Sequence, residues 1–90
     1  MTHTEAEIEA VWKKGKVVSG RNPDILRQDA CTAWIKRSEY GNRDSDNGWE
    51  IDHIDPNGPD NISNWQPLQW ENNVSKSDGS LICKKVAATK

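Results

Sequence analysis

Two adjacent residues, Asp52 and His53, end the alternating run Trp49-Glu-Ile-Asp-His53 and are followed by Asn64, Asn73 and Lys76. A carboxylate beside an imidazole at a strand end, with an amide oxygen about twenty residues further on, suits metal-assisted hydrolysis of a phosphodiester. In such a set one group anchors a hard cation, a second activates water, and a third closes the cation site from a following helix. Asp and Asn offer hard oxygen donors, which suit Mg2+ or Mn2+ rather than Zn2+. An imidazole titrates near pH ~6.5, so much of it is neutral at working pH and can accept a proton from water.

The elements that must hold these residues are short. Thr4-Glu-Ala-Glu7 is a capping-box pattern, and Ile8, Val11 and Trp12 follow at helical spacing, which predicts a helix over about 4–14 closed by Gly15. Lys13, Lys14 and Lys16 at its end favour the helix dipole. A loop over 17–24 leads to Asp24, expected to cap a second helical stretch through Ile25, Leu26 and Asp29. Ala33-Trp-Ile-Lys-Arg37 reads as a strand and Tyr40 to Gly48 as a polar loop. That loop fails as an EF-hand: counted from Asp44, positions 6 and 12 are Trp49 and Asp55 instead of glycine and glutamate. Trp49–His53 is the second strand, with Trp49, Ile51 and His53 on one face and Glu50 and Asp52 on the other. Both Asp52 and His53 can serve one site only if the strand ends or twists there, which Pro56 favours. After a turn over Asp55–Asp60, a helix is expected from about Asn64 to Val74, with Trp65, Leu68 and, at its end, Val74 inward. Leu81-Ile-Cys83 is expected to be a closing strand, and the Lys-rich end to fray.

The run Gly48-Trp-Glu-Ile-Asp-His-Ile-Asp-Pro56, then Asn64-Trp-Gln-Pro-Leu68, then Glu71 to Asp78, resembles the HNH endonuclease family over roughly residues 27–80. The resemblance implies an α+β fold, a small ββα-metal (His-Me finger) module at 27–83 with an N-terminal helical extension at 1–26 and a basic tail at 84–90. It also implies roles. His53 would be the general base, Asp52 and Asn73 would hold one Mg2+ or Mn2+ ion, and Asn64 would pin the loop between strand and helix. Lys76 would lie near a phosphate. Many members carry two CxxC pairs that bind structural zinc. Here the matching stretches read Cys31-Thr-Ala-Trp34 and Gln69-Trp-Glu-Asn72, so no structural zinc is expected, and Trp34, Trp65 and Trp70 are expected to pack in its place.

Ninety residues with 33% hydrophobic content and a mean hydropathy of −0.94 leave little for a core, so the five tryptophans must supply much of it. Nothing resembles a membrane span or a signal-peptide core, which makes the cytoplasm the default compartment. In that setting Cys31 and Cys83, 52 positions apart and in no CxxC, are expected to be two free thiols. The net charge of −2 hides an uneven distribution: residues 44–80 hold eight acids against Lys76 alone, and both flanks are basic. An acidic centre between basic arms suits a cation site whose polyanion is gripped from outside.

The resulting expectation is a Mg2+- or Mn2+-dependent endonuclease acting on DNA, with RNA as an alternative substrate and no membrane partner. Arg21, Arg27, Arg37, Arg43 and Lys76 are the bases most available for backbone contacts. One site would nick a duplex, and a dimer or larger assembly would be needed to cut both strands. The rival expectations are a nucleic-acid-binding module without turnover and a nuclease that works only with a partner.

Overall fold

The computed structural model describes residues 3–76 and 80–87. Thr4 opens α1 (Glu5–Trp12) with a reciprocal pair of bonds: its hydroxyl accepts from the Glu7 amide at 3.1 Å, and the Glu7 carboxylate accepts from the Thr4 amide at 2.9 Å. Ile8, Val11 and Trp12 form the buried face of this helix.

The second helical stretch expected from Asp24 is a single turn followed by a strand. Asn22, not Asp24, caps the turn, its side chain accepting from the Asp24 amide and its carbonyl from Ile25 and Leu26. Strand β1 (Leu26–Gln28) then pairs antiparallel with β2 (Trp34–Lys36), Arg27 lying opposite Ile35. Burial alternates with period two: Arg27 and Ile35 are buried, while Leu26, Gln28, Trp34 and Lys36 are more open. Lys16 adds an isolated bridge to Gln28, donating to and accepting from its backbone at 2.8 and 3.0 Å.

Strand β3 (Trp49–His53) has the expected bounds, but its partner is β4 (Trp65–Gln69), in register from Trp49↔Gln69 to His53↔Trp65. A helix was expected over those residues because Trp65 and Leu68 sit at helical spacing. The pairing with β3 overrides that local signal, and Pro67, which has no N–H, is tolerated where a two-stranded sheet leaves open edges. Helix α2 therefore starts only at Trp70 and runs to Ser75, capped by the Gln69 side chain, which accepts from the Glu71 and Asn72 amides. The fold is a small α+β arrangement of two antiparallel hairpins and two helices.

One core serves all of them. Ile8, Val11 and Trp12 of α1 meet Ile35 of β2, Trp49 of β3 and Trp65 of β4, with Tyr40 and Ile51 packed alongside. The Trp12 and Trp49 rings lie 5.4 Å apart and Tyr40 stands edge-on to Trp49 at 4.9 Å. The deepest tryptophans are thus Trp12 and Trp49, while Trp34 and Trp70 are only half-buried.

Cys31 and Cys83 are bonded to one another, not free thiols, their Cα atoms 5.4 Å apart. The non-local fold brings them together: Cys31 sits in the turn between β1 and β2, and residues 80–87 return to that turn past α2. No strand forms at Leu81–Cys83. Lys85, expected to fray, is instead tied down by both of its backbone groups, which bond the Asn72 side chain at 2.7 and 2.9 Å. Residues 88–90 of the basic tail lie outside the described residues.

Candidate functional site

Strand alternation turns Glu50 and Asp52 toward α2, and that helix answers with two polar side chains. The Asn73 amide donates to Glu50 Oε1 at 2.8 Å, and Arg43 grips the same carboxylate through two bonds of 2.6 and 2.9 Å. These bonds from Arg43 and Asn73 hold Glu50 below the ordinary glutamate pKa, against partial burial, which raises it. Asp52 is buried and accepts from its cross-strand neighbour Gln66 at 2.9 Å. The Lys76 ammonium, at the end of α2, lies 3.2 Å from Asp52 Oδ2 and also donates to the His53 carbonyl. Lys76 is therefore buried against the carboxylate, its side chain only 6% exposed. Asn73 contacts Glu50, two residues before the carboxylate with which it was expected to converge. Glu50 is the site residue that the motif reading passed over, although its position two residues before Asp52 on a strand already put it on that face.

The His53 imidazole projects from the other side of β3. Its Nε2 lies 2.9 Å from Asp60 Oδ1, and Trp65 Nε1 donates to the same oxygen at 3.3 Å. The His53 bond is the largest influence holding Asp60 below the ordinary aspartate pKa. His53 remains 41% exposed and stands edge-on to Trp65 with 6.4 Å between ring centres. Asp52 and His53 are thus adjacent on the strand, and the Lys76 ammonium bonds the Asp52 carboxylate and the His53 carbonyl, but their side chains face different neighbours. Nothing in the sequence around Asp60 distinguished it from an ordinary turn residue.

Asn64 holds the connection between β3 and β4. Its side chain accepts from the Asp55 amide at 3.0 Å and donates to the carbonyls of Asp55 and Pro59 at 2.8 and 3.0 Å. Gly58 makes room for it, since a Cβ there would fall 2.9 Å from Asn64 Nδ2. Asp55 itself caps the turn, accepting from the Asn57 amide.

The bases singled out for nucleic-acid contact are largely engaged within the fold. Arg27 is buried, donates to the carbonyls of Lys13, Gly15 and Pro23, and stacks over Trp12 at 5.7 Å. Arg37 bridges Glu5 and Glu9 of α1, Arg43 holds Glu50, and Arg21 covers the Trp34 ring at 5.5 Å.

At the positions of the second CxxC, Gln69 and Asn72 are fully buried and converge on Asp29. The Asp29 carboxylate accepts from the Cys31 and Ala33 amides, the Gln69 amide and the Asn72 side chain, all within 3.0 Å. This buried network and the Cys31–Cys83 bond join the parts around the β1–β2 turn, and of the tryptophans expected to pack there Trp65 is buried in the core while Trp34 and Trp70 are half-buried. The turn it organises places Thr32 at φ +65°, a costly conformation for a β-branched residue.

Compared with family models, with curated proteins and with solved structures, the chain matches none.

Proposed function

We propose that this protein is a metal-dependent endonuclease of HNH type that hydrolyses DNA phosphodiester bonds, with His53 as general base and Mg2+ or Mn2+ held by Asp52 and Asn73. The observation that carries the reading is the seating of α2 on β3. It brings Asn73 and Lys76 onto the two strand carboxylates, Glu50 and Asp52, one residue from a half-exposed histidine. The contact of His53 Nε2 with Asp60 Oδ1 at 2.9 Å orients the ring, whose other nitrogen takes the proton from the attacking water. General-base assistance of this kind is worth about 10²–10⁴-fold in rate.

The side chains on this face of β3 are hard oxygen donors, although among the described residues no group of three or more His, Cys, Asp or Glu is arranged to hold a metal ion. Asp52 and Glu50 offer carboxylate oxygens, and Asn73 Oδ1 remains available while its Nδ2 binds Glu50; an incoming ion would have to displace the Lys76 ammonium from Asp52. When bound, such an ion polarises the phosphoryl group and stabilises the leaving 3′ oxygen. Asn64 supports the site by fixing the loop that follows His53, and Gln66 orients Asp52.

A second reading has its own observation. Arg43 on Glu50 and Lys76 on Asp52 neutralise both carboxylates, as would suit a module that binds nucleic acid without turning it over. Nicking of supercoiled plasmid in Mg2+, Mn2+ or EDTA, wild type against His53→Ala, separates the two. The nuclease reading expects metal-dependent nicking that falls at least about 10²-fold in the variant. A folded wild type that binds plasmid but nicks it with neither metal would favour the binding module. An RNA substrate in parallel reports which polymer is preferred.

A further inference from the structure

A cleft of about 160 Å³ opens between the end of α1 and the β1 and β4 strands, lined by Lys14, Gly15, Lys16, Gln28 and Gln66 among others. Its charge is fixed by backbone contacts. Lys16 is locked in place by its two-way bridge to Gln28, leaving an exposed side chain with no partner among the described residues. Lys14 Nζ donates to the carbonyls of Ile62 and Trp65, which anchors a second ammonium at the wall of the cleft. The wall is closely built at Gly15, where a Cβ would lie 3.2 Å from the Arg27 side chain. Asp29 is the carboxylate of the cleft, but it is 2% exposed and its oxygens are occupied by four donors. The cleft is therefore lined by two lysines and two glutamines with its own acid withdrawn, and with Lys14 Nζ and Gln66 Nε2 donating within the fold, Lys16 is its cation without a partner among the described residues.

The far wall belongs to the candidate active site, because Gln66 lines the cleft and its Nε2 holds Asp52 Oδ2 at 2.9 Å. We propose that this cleft is an anion-binding site that receives a backbone phosphate of the DNA strand, next to the phosphate held near Asp52 and His53. Lys16 is its principal contact, Lys14 supplies the fixed field, and the Gln28 amide donates to the phosphate oxygens. Such contacts set the position of the strand without reading its sequence. The proposal takes its ligand class from the nuclease reading, but its test needs no turnover.

The test is binding of a short fluorescent DNA duplex in EDTA, read by anisotropy across about 50–200 mM salt. Lys16→Gln is compared with Lys16→Arg and with Lys84→Gln, which removes an equal charge from an exposed position elsewhere. Thermal melting checks that each variant is folded. Lys16→Gln is expected to weaken binding by roughly three- to tenfold at low salt and to reduce the salt slope by about 0.9. Lys16→Arg should bind as wild type, and Lys84→Gln should lose distinctly less. Unchanged binding by Lys16→Gln, an equal loss in Lys84→Gln, or a wild type that binds no DNA would each overturn the proposal. Cleavage by wild type with unchanged Lys16→Gln binding would sink the cleft and spare the nuclease. The Lys16 effect in a protein that cuts nothing would do the reverse.

Discussion

Arg43 on Glu50 and Lys76 on Asp52 are ion pairs of different kinds. The first is partly open, with Arg43 more than half exposed, whereas both members of the second are below 10% exposed. An exposed pair contributes little to stability, while removing one partner of a buried pair leaves an uncompensated charge. The open pair nevertheless has a pH signature, because Arg43 and then Asn73 lower the Glu50 pKa. A depressed carboxylate adds stability above its ordinary value, about 4.3 for glutamate, and that contribution is lost as pH falls through the lower folded value. Thermal melts from about pH 7 to pH 3 should therefore show a shallower acid limb in Glu50→Gln than in wild type. An unchanged limb would mean that Arg43 and Asn73 do not protect the carboxylate in solution. At this scale the sequence was informative about side-chain direction: period-two alternation along β3 separated Glu50 and Asp52 from Trp49 and Ile51. It could not show that Asn73 would meet Glu50 instead of Asp52, since that depends on where α2 begins.

Elements were legible where their signals are local. The capping box announced α1, and the alternation announced β3 residue for residue. Strands β1 and β4 were hidden for a physical reason: β1 has three residues, too few to show a period, and Trp65 with Leu68 satisfies a helix as well as it satisfies a buried strand. Their identity comes from partners far along the chain. Gly48 shows how tightly such partners are joined. Its carbonyl accepts from the first amide of α2, its amide donates to Ser45, and a Cβ would lie 1.8 Å from the Asn42 carbonyl oxygen. Gly48→Ala should cost about 1–3 kcal/mol or more, read as a lower urea midpoint, because a backbone oxygen must move to admit the methyl. A variant as stable as wild type would show that the 42–48 loop yields freely.

For the molecule as a whole, the Cys31–Cys83 bond and the Asp29, Gln69 and Asn72 network do the joining that a core of this size does incompletely. Neither was legible beforehand. Cysteine spacing says nothing about proximity, and a buried aspartate can be recognised only once its four donors are seen. Linking residues 52 apart constrains the unfolded chain, so Cys83→Ser should lose about 2–4 kcal/mol, and a thiol reductant should lower the melting temperature of wild type but not of the variant. Equal melting of oxidised wild type and Cys83→Ser would remove the bond from the stability of the fold. Disulfides persist mainly in oxidising compartments, so the expectation of two free thiols, which rested on a cytoplasmic default, does not hold for this pair. The same bond has a topological consequence. It closes a ring that contains Asp52, His53, Asn64, Asn73 and Lys76, leaving α1 and β1 as an arm outside it. A backbone break anywhere within that ring, such as in the exposed stretch around Arg43, would open the circle yet leave a single covalent molecule with every candidate site residue still attached.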